Sequence, residues 1–208
     1  HAMGNVPMQL HDWNVDFACW CSYKYLNSGP GAVAGAFIHE KHVGREDIQR
    51  FDGWWGHNAQ RRFLMEPQFE SMKTAEAWQM SNAPVLNMAV HACSLDMFLE
   101  ARIDQLREKS KRLTAYLEAG IQQVAEEVGF RAELITPQDP ERRGAQLSLA
   151  AHGFGKSPFE ALTNAGVISA WREPNVIRMA PVPLYNTFED VAAFLIILKD
   201  CTQALSTE

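Results

Sequence analysis

Three groups of residues could do chemistry. Lys24 follows the apolar run Val15-Asp16-Phe17-Ala18-Cys19-Trp20, stands between Tyr23 and Tyr25, and precedes the turn Asn27-Ser28-Gly29-Pro30-Gly31. A lysine buried at such a strand end is opposed by desolvation, which lowers its pKa. An amine with a lowered pKa is a nucleophile able to form a Schiff base. A surface lysine at a strand end is the plain alternative. Arg178 interrupts Val176-Ile177-Arg178-Met179-Ala180, so it must leave the core or meet an anion. A guanidinium grips a carboxylate through two parallel hydrogen bonds, and a structural salt bridge would account for it equally well. Trp54 and Trp55 stand between Gly53 and Gly56. Two adjacent indoles on a loop suit a stacking surface or a subunit contact, with a small local core as the other reading.

Other patterns fail on spacing. His39-Glu40-Lys41-His42 lacks the two residues between Glu and the second His that a zinc-protease helix needs. Gly29, Gly31 and Gly35 do not form G-x-G-x-x-G, and no Gly-Lys-Ser/Thr follows them. Cys19 and Cys21 are a close pair, but Cys93 and Cys201 stand alone. The expectation is therefore buried, reduced thiols in a cytosolic protein rather than a zinc site.

These residues need elements to position them. With 208 residues, 47% of them hydrophobic and 21% charged, the chain has the composition of a globular protein of one or two domains. Its net charge of -6 argues against a general nucleic-acid binder. No apolar run reaches the roughly 20 residues of a membrane span. Residues 15–20 read as a buried strand and 35–38 as a second short one. Residues 41–82 read as functional loops with short helices. Asn82-Ala83-Pro84 opens a helix that is apolar on nearly every side from 85 to 99 and is expected to be buried. Residues 102–128 are amphipathic and close at Gly129. Strands are expected at 133–136, 146–150, 167–171 and 175–179. A capping box at Ser157-Pro158-Phe159-Glu160 should start one helix, ending at Gly166, and Thr187 should cap the last. The C-terminal third is thus a small sheet carrying helices. The opening His1-Ala2-Met3-Gly4-Asn5 does not look like a natural start: either a tag remnant precedes Met3 or residues upstream are missing.

Taken together, the pieces resemble the kynureninases, enzymes of the pyridoxal-phosphate fold type I (aspartate-aminotransferase) superfamily. The resemblance rests on the stretch from His11-Asp12-Trp13 to Asn27, Gly35-Ala36-Phe37-Ile38-His39-Glu40, Gly53-Trp54-Trp55-Gly56-His57 and Ser81-Asn82-Ala83-Pro84. It continues through Arg143-Gly144-Ala145-Gln146-Leu147 and the run from Ile177 to Asn186. It covers nearly the whole chain. It implies an α/β fold: the C-terminal part of a large cofactor-binding domain over 1–83, then connecting helices and a small α+β domain over 84–208.

The resemblance also implies roles. Lys24 matches the lysine that carries pyridoxal 5'-phosphate, and Tyr23 a tyrosine on the cofactor phosphate and in proton transfer. Trp54 matches a tryptophan that reaches the phosphate of the neighbouring subunit, which makes a homodimer the expected assembly. Asn82 matches a cofactor and substrate residue, and Arg178 the arginine on the substrate α-carboxylate. Trp55 stands where relatives carry phenylalanine beside the substrate ring, which leaves ring selectivity open. His1 matches a cofactor-side histidine three residues after the aspartate that pairs with the pyridine nitrogen, so the family's upstream half would lie outside this sequence. The implied activity is hydrolysis of L-kynurenine, with 3-hydroxykynurenine as a further candidate, to anthranilate and L-alanine in cytoplasmic tryptophan catabolism. The competing readings are another fold type I enzyme, such as a cysteine desulfurase or aminotransferase, and an inactive piece that serves only as scaffold.

Overall fold

The structure is a computed structural model describing residues 1–206. The chain forms two compact units, His1–Glu100 and Ala101–Glu208. The division falls at the last residue of the first long helix, at 100/101, whereas the sequence suggested one before that helix, at 83/84.

In the first unit, strands β1 (Phe17–Trp20) and β2 (Gly35–Ile38) pair antiparallel, Phe17 opposite Ile38 and Trp20 opposite Gly35. Gly35 is required there, because a Cβ would fall 2.3 Å from the Trp20 indole. The strand expected to be buried is largely open: a two-stranded ribbon has little to cover it, and Phe17 is exposed, stacked at 5.0 Å on His42. Residues 41–82 hold loops and short 3-10 turns at Glu40–His42, Arg62–Leu64 and Ala75–Trp78, as expected.

Helix α1 (Val85–Ala101) forms where the Asn-Ala-Pro start placed it, but it is not buried. Val85, Leu86 and Leu99 are 76%, 82% and 77% exposed, and Ser94 is its buried residue. The side turned to the unit's interior is a polar stripe, Asn87, His91 and Ser94, at i, i+4 and i+7 of one helical face. Arg102, at φ 58°, separates α1 from the next helix.

The second unit has a conventional apolar core. Helix α2 (Ile103–Val128) buries Leu106, Leu113, Leu117, Ile121 and Val124. It stops at Gly129, whose φ of 82° lets its N–H reach Ala125 O at 2.8 Å. Strands β3 (Glu133–Leu134), β4 (Leu147–Ala150), β5 (Ala170–Arg172) and β6 (Val176–Met179) form an antiparallel sheet in the order β3-β4-β6-β5. Leu147, Leu149, Ile177 and Met179 pack with α2, α3 (Ser157–Asn164) and α4 (Phe188–Ser206). The capping box expected at Ser157 does not form. Ser157 is itself the first helical residue, and Lys156 before it makes no side-chain cap. The box does form at α4: Thr187 Oγ1 accepts from Asp190 N–H at 3.1 Å and Asp190 Oδ2 from Thr187 N–H at 2.8 Å. That backbone bond, ahead of the Asn186 contact, lowers the Asp190 pKa. Among the described residues, no helix is long and apolar enough to cross a membrane.

Candidate active site

Lys24 lies on the turn after β1. The turn is tied down from both directions. Ser22 is fully buried and its hydroxyl donates to Val33 O; Ser28 N–H returns to Ser22 O at 3.0 Å and Asn27 N–H to Lys24 O at 2.9 Å. Asn27 takes a left-handed φ of 55°, and its side chain donates to Tyr25 O at 3.0 Å. The polar stripe of α1 completes the anchorage. Asn87 donates to Gly31 O at 2.8 Å, His91 Nδ1 meets Ser28 Oγ at 2.7 Å, and the Ser94 hydroxyl donates to Leu26 O. Leu26 is the apolar peg of this loop, buried while its neighbours are polar or exposed.

The loop holds the Lys24 amine outward. Lys24 and Tyr23 are exposed, so the burial expected of this lysine is absent from the structure. The strand ends at Trp20, and the turn carries position 24 past the covered part of the unit. The amine is nevertheless in chemical company: Nζ hydrogen-bonds His1 Nε2 and lies 5.6 Å from the centroid of the Tyr23 ring.

The second cluster surrounds the paired tryptophans. Trp54, 40% exposed, meets Phe63 edge-on at 5.4 Å. Trp55 lies under the guanidinium of Arg62 at 4.5 Å. A cleft of about 410 Å³ beside Trp54 is lined in part by His57, Arg62, Met65 and Phe69. Asn82 is exposed just ahead of α1.

Arg178 belongs to the second unit. It is on β6, directly between Ser148 on β4 and Ala170 on β5. Its neighbours in sequence, Ile177 and Met179, enter the core, so alternation sends Arg178 to the other face. Its Nε is buried with no hydrogen-bond partner among the described residues, as are those of Arg50, Arg62 and Arg143.

The thiols are free, but not buried as expected: Cys19 and Cys93 are exposed, Cys21 and Cys201 half-buried.

Comparison with known proteins shows what the chain as a whole is similar to. The kynureninase C-terminal domain family matches residues 106–198. Kynureninase of Flavobacterium johnsoniae is 53% identical over 199 residues, which are 96% of this chain and 47% of that protein. Kynureninase of Christiangramia forsetii is 54% identical over the same shares. The chain is a kynureninase homologue. It spans about half the length of the curated kynureninases it matches.

Solved structures agree on the fold. The apo cysteine desulfurase of Thermococcus onnurineus NA1 superposes with a TM-score of 0.78 at 12% identity, over 98% of this chain and 51% of that one. A C-DES mutant with glycine covalently linked to its PLP cofactor gives 0.76 at 16%, over 96% and 50%. At such identities the likeness shows the fold alone: this chain has the architecture of half of a fold type I PLP enzyme.

Of the residues singled out by resemblance to kynureninases, the structure brings His1, Tyr23 and Lys24 together, pairs Trp54 and Trp55 in a second cluster, and puts Arg178 on the sheet of the other unit. Sequence reasoning missed Arg62 and the α1 stripe. The stripe had a signal: Asn87, His91 and Ser94 stand at helical spacing in a largely apolar helix. Arg62 had none, being one of two adjacent arginines in a polar stretch.

Proposed function

We propose that the holoenzyme containing this chain hydrolyses L-kynurenine to anthranilate and L-alanine, with pyridoxal 5'-phosphate attached at Lys24. The observation that carries the reading is the identity above 50% to kynureninases along nearly the whole chain, with the Lys24 amine standing on an imidazole and beside a phenol. This donor set fits the cofactor: an accessible primary amine for an aldehyde, with a group beside it that can take up a proton. Identity of this order favours kynureninase over the cysteine desulfurases, which share the fold at 12–16% identity.

Pyridoxal phosphate, when bound, supplies an aldehyde for covalent attachment and a ring that accepts the electron pair left on the substrate α-carbon. Lys24 would hold it, and its freed amine would take the α-proton as a general base and return a proton to the α-carbon when alanine forms. His1 would hold that proton in the interval. Arg178 grips the α-carboxylate through paired N–H donors. Asn82 orients the amino-acid end, Trp55 flanks the aromatic ring, and Trp54 reaches the cofactor phosphate. Water adds to the γ-carbonyl, the Cβ–Cγ bond breaks, anthranilate leaves, and Tyr23 delivers the proton that β-carbon needs to become the methyl of alanine.

The exposed Trp54, Phe63, Leu64 and Met65 support a second copy as partner, with Trp54 serving the adjacent site. A surface of this composition suits a subunit contact. Residues 1–83 fit the tail of the large domain and 84–208 the connecting helices and small domain. Four free thiols suit the reducing cytoplasm.

Lys24→Ala in the holoenzyme tests the assignment. Turnover should vanish, and the visible absorbance that borohydride bleaches in the parent should be missing, while the circular dichroism of the fold stays. Retained turnover with an unmodified cofactor band would refute Lys24 as the attachment point.

A further inference from the structure

Arg62 is 7% exposed although Arg61 and Phe63 on either side are open to solvent. A buried guanidinium is costly unless its donors are met. The acids nearby do not meet them: Glu66 and Glu70 both pair with Arg61. Arg62 has no ion pair among the described residues. Its Nη2 instead donates to two backbone carbonyls, Trp55 O and His57 O, each at 2.9 Å, its Cζ lies over the Trp55 ring, and its Nε is buried without a hydrogen-bond partner among the described residues. Its own N–H bonds Asn58 O at 2.9 Å. One side chain thus spans the loop from Trp55 to His57 and fixes both backbone and indole.

The loop is held from its other side by sterics. A Cβ on Gly53 would fall 2.2 Å from Met80 Cα, and one on Gly56 would fall 2.7 Å from Ala77 O. Neither glycine has a positive φ, so both are there for close approach to the backbone of residues 77–80. The loop is therefore held between a backbone wall and a guanidinium that lies over Trp55, while Trp54 meets Phe63 and stays 40% exposed. What this fixes is the Trp55 ring and the backbone that carries Trp54 to the edge of the cleft.

We propose that Arg62 is a positioning residue that sets the geometry of the Trp54-Trp55 pair and, through Trp55, the ring selectivity of the site. The proposal rests on the reading that these tryptophans serve cofactor and aromatic substrate. Lysine keeps the charge but offers a point donor that cannot both bridge two carbonyls and lie flat on an indole.

The test is a cycle of Arg62→Lys, Trp55→Phe and the double variant in the holoenzyme, with Arg62→Gln in place of the lysine variant should that one not fold. Arg62→Lys should raise KM for kynurenine by about tenfold, the scale of one lost hydrogen bond, with kcat less affected. It should change the preference between kynurenine and 3-hydroxykynurenine in the same direction as Trp55→Phe. In the double variant the two effects on selectivity should not add. With 5-fluorotryptophan incorporated, the fluorine signals of positions 54 and 55 should move in Arg62→Lys. Unmoved signals with unchanged selectivity, and only a lower melting temperature, would overturn the proposal and leave Arg62 a structural residue. A parent enzyme that hydrolyses neither substrate would overturn the proposed function instead, and the fluorine signals would still decide whether Arg62 braces the indoles.

Discussion

In the second unit the core is made of Leu113, Leu117, Ile121, Leu147, Leu162, Ile177 and Leu198; in the first, the buried side chains beyond Leu26 and Ala77 are Ser22, Ser28, His39, Arg62, Ser71 and Ser94. Apolar packing is non-directional and proportional to area. It fixes a shape but specifies few orientations. Hydrogen bonds and close backbone contacts are directional. They stabilise less per group, yet they determine where a loop points. The unit carrying Lys24 and the tryptophan pair is built by the second method, and the unit carrying Arg178 by the first, with the arginine projected off the far face of a packed sheet.

That contrast can be broken first in the second unit. Leu147 is fully buried between β6 and the helices. Leu147→Ala should cost about 2–5 kcal/mol through lost transfer energy and the cavity left behind. Denaturant titration followed by circular dichroism measures it. A loss below about 1 kcal/mol, the range of ordinary surface changes, would mean the sheet face is not a true core.

In the first unit a comparable deletion is smaller in energy and larger in geometry. Ser94→Ala removes the hydroxyl that holds Leu26 O. It should cost only about 1 kcal/mol, the net worth of one hydrogen bond. Amide exchange across residues 22–31 should nevertheless quicken, and the Lys24 amine should lose its fixed relation to His1. If exchange stays unchanged, the α1 stripe does not anchor the loop.

How much of this was legible follows the same division. Periodicity found α2 with its glycine stop, the four strands of the small sheet and the capped last helix, because a packed core writes its pattern into the sequence. The same reasoning misjudged α1. An all-round apolar helix is ordinarily buried, but here Asn87, His91 and Ser94 face inward and the apolar surface faces out. Burial of β1 and of the thiols failed for the same reason: what covers a residue is a tertiary fact that residue type only suggests. At Ser157 local chemistry misled, since a helix starting one residue early left no side chain in the cap. Lys24, Trp54, Trp55 and Arg178 were noticed as residue types in unusual settings, but their roles came from resemblance. Arg62 was invisible, because nothing in the sequence separates a buried arginine from the exposed one before it.

The smallest expected effect concerns the end of the β1–β2 ribbon, where two polar latches titrate in opposite directions. Asp16 accepts from Lys41 at 2.8 Å and His42 at 2.8 Å, and these contacts, Lys41 first, hold its carboxyl down at about 2 from an ordinary 3.8. A depressed carboxyl contributes stability that is present above 3.8 and is lost as pH falls towards about 2. His11 bonds Glu40 at 3.2 Å and Asp12 at 3.4 Å, stacks on His39 at 4.7 Å, and has its pKa raised above 6.5, chiefly by Glu40. A raised imidazole contributes stability that is complete below 6.5 and is lost as pH rises through its folded value. Both contributions are therefore complete together between the two ordinary values and fade outside them. Amide exchange at residues 16–18 and 37–42, corrected for its intrinsic pH dependence, should show most protection in that window and less on either side. Both latches are solvent-exposed, so added salt should weaken the effect. Glu40→Gln should remove the loss on the alkaline side while leaving the acid side intact; an unchanged alkaline limb would mean that His11 does not fasten the ribbon to the turn at Glu40.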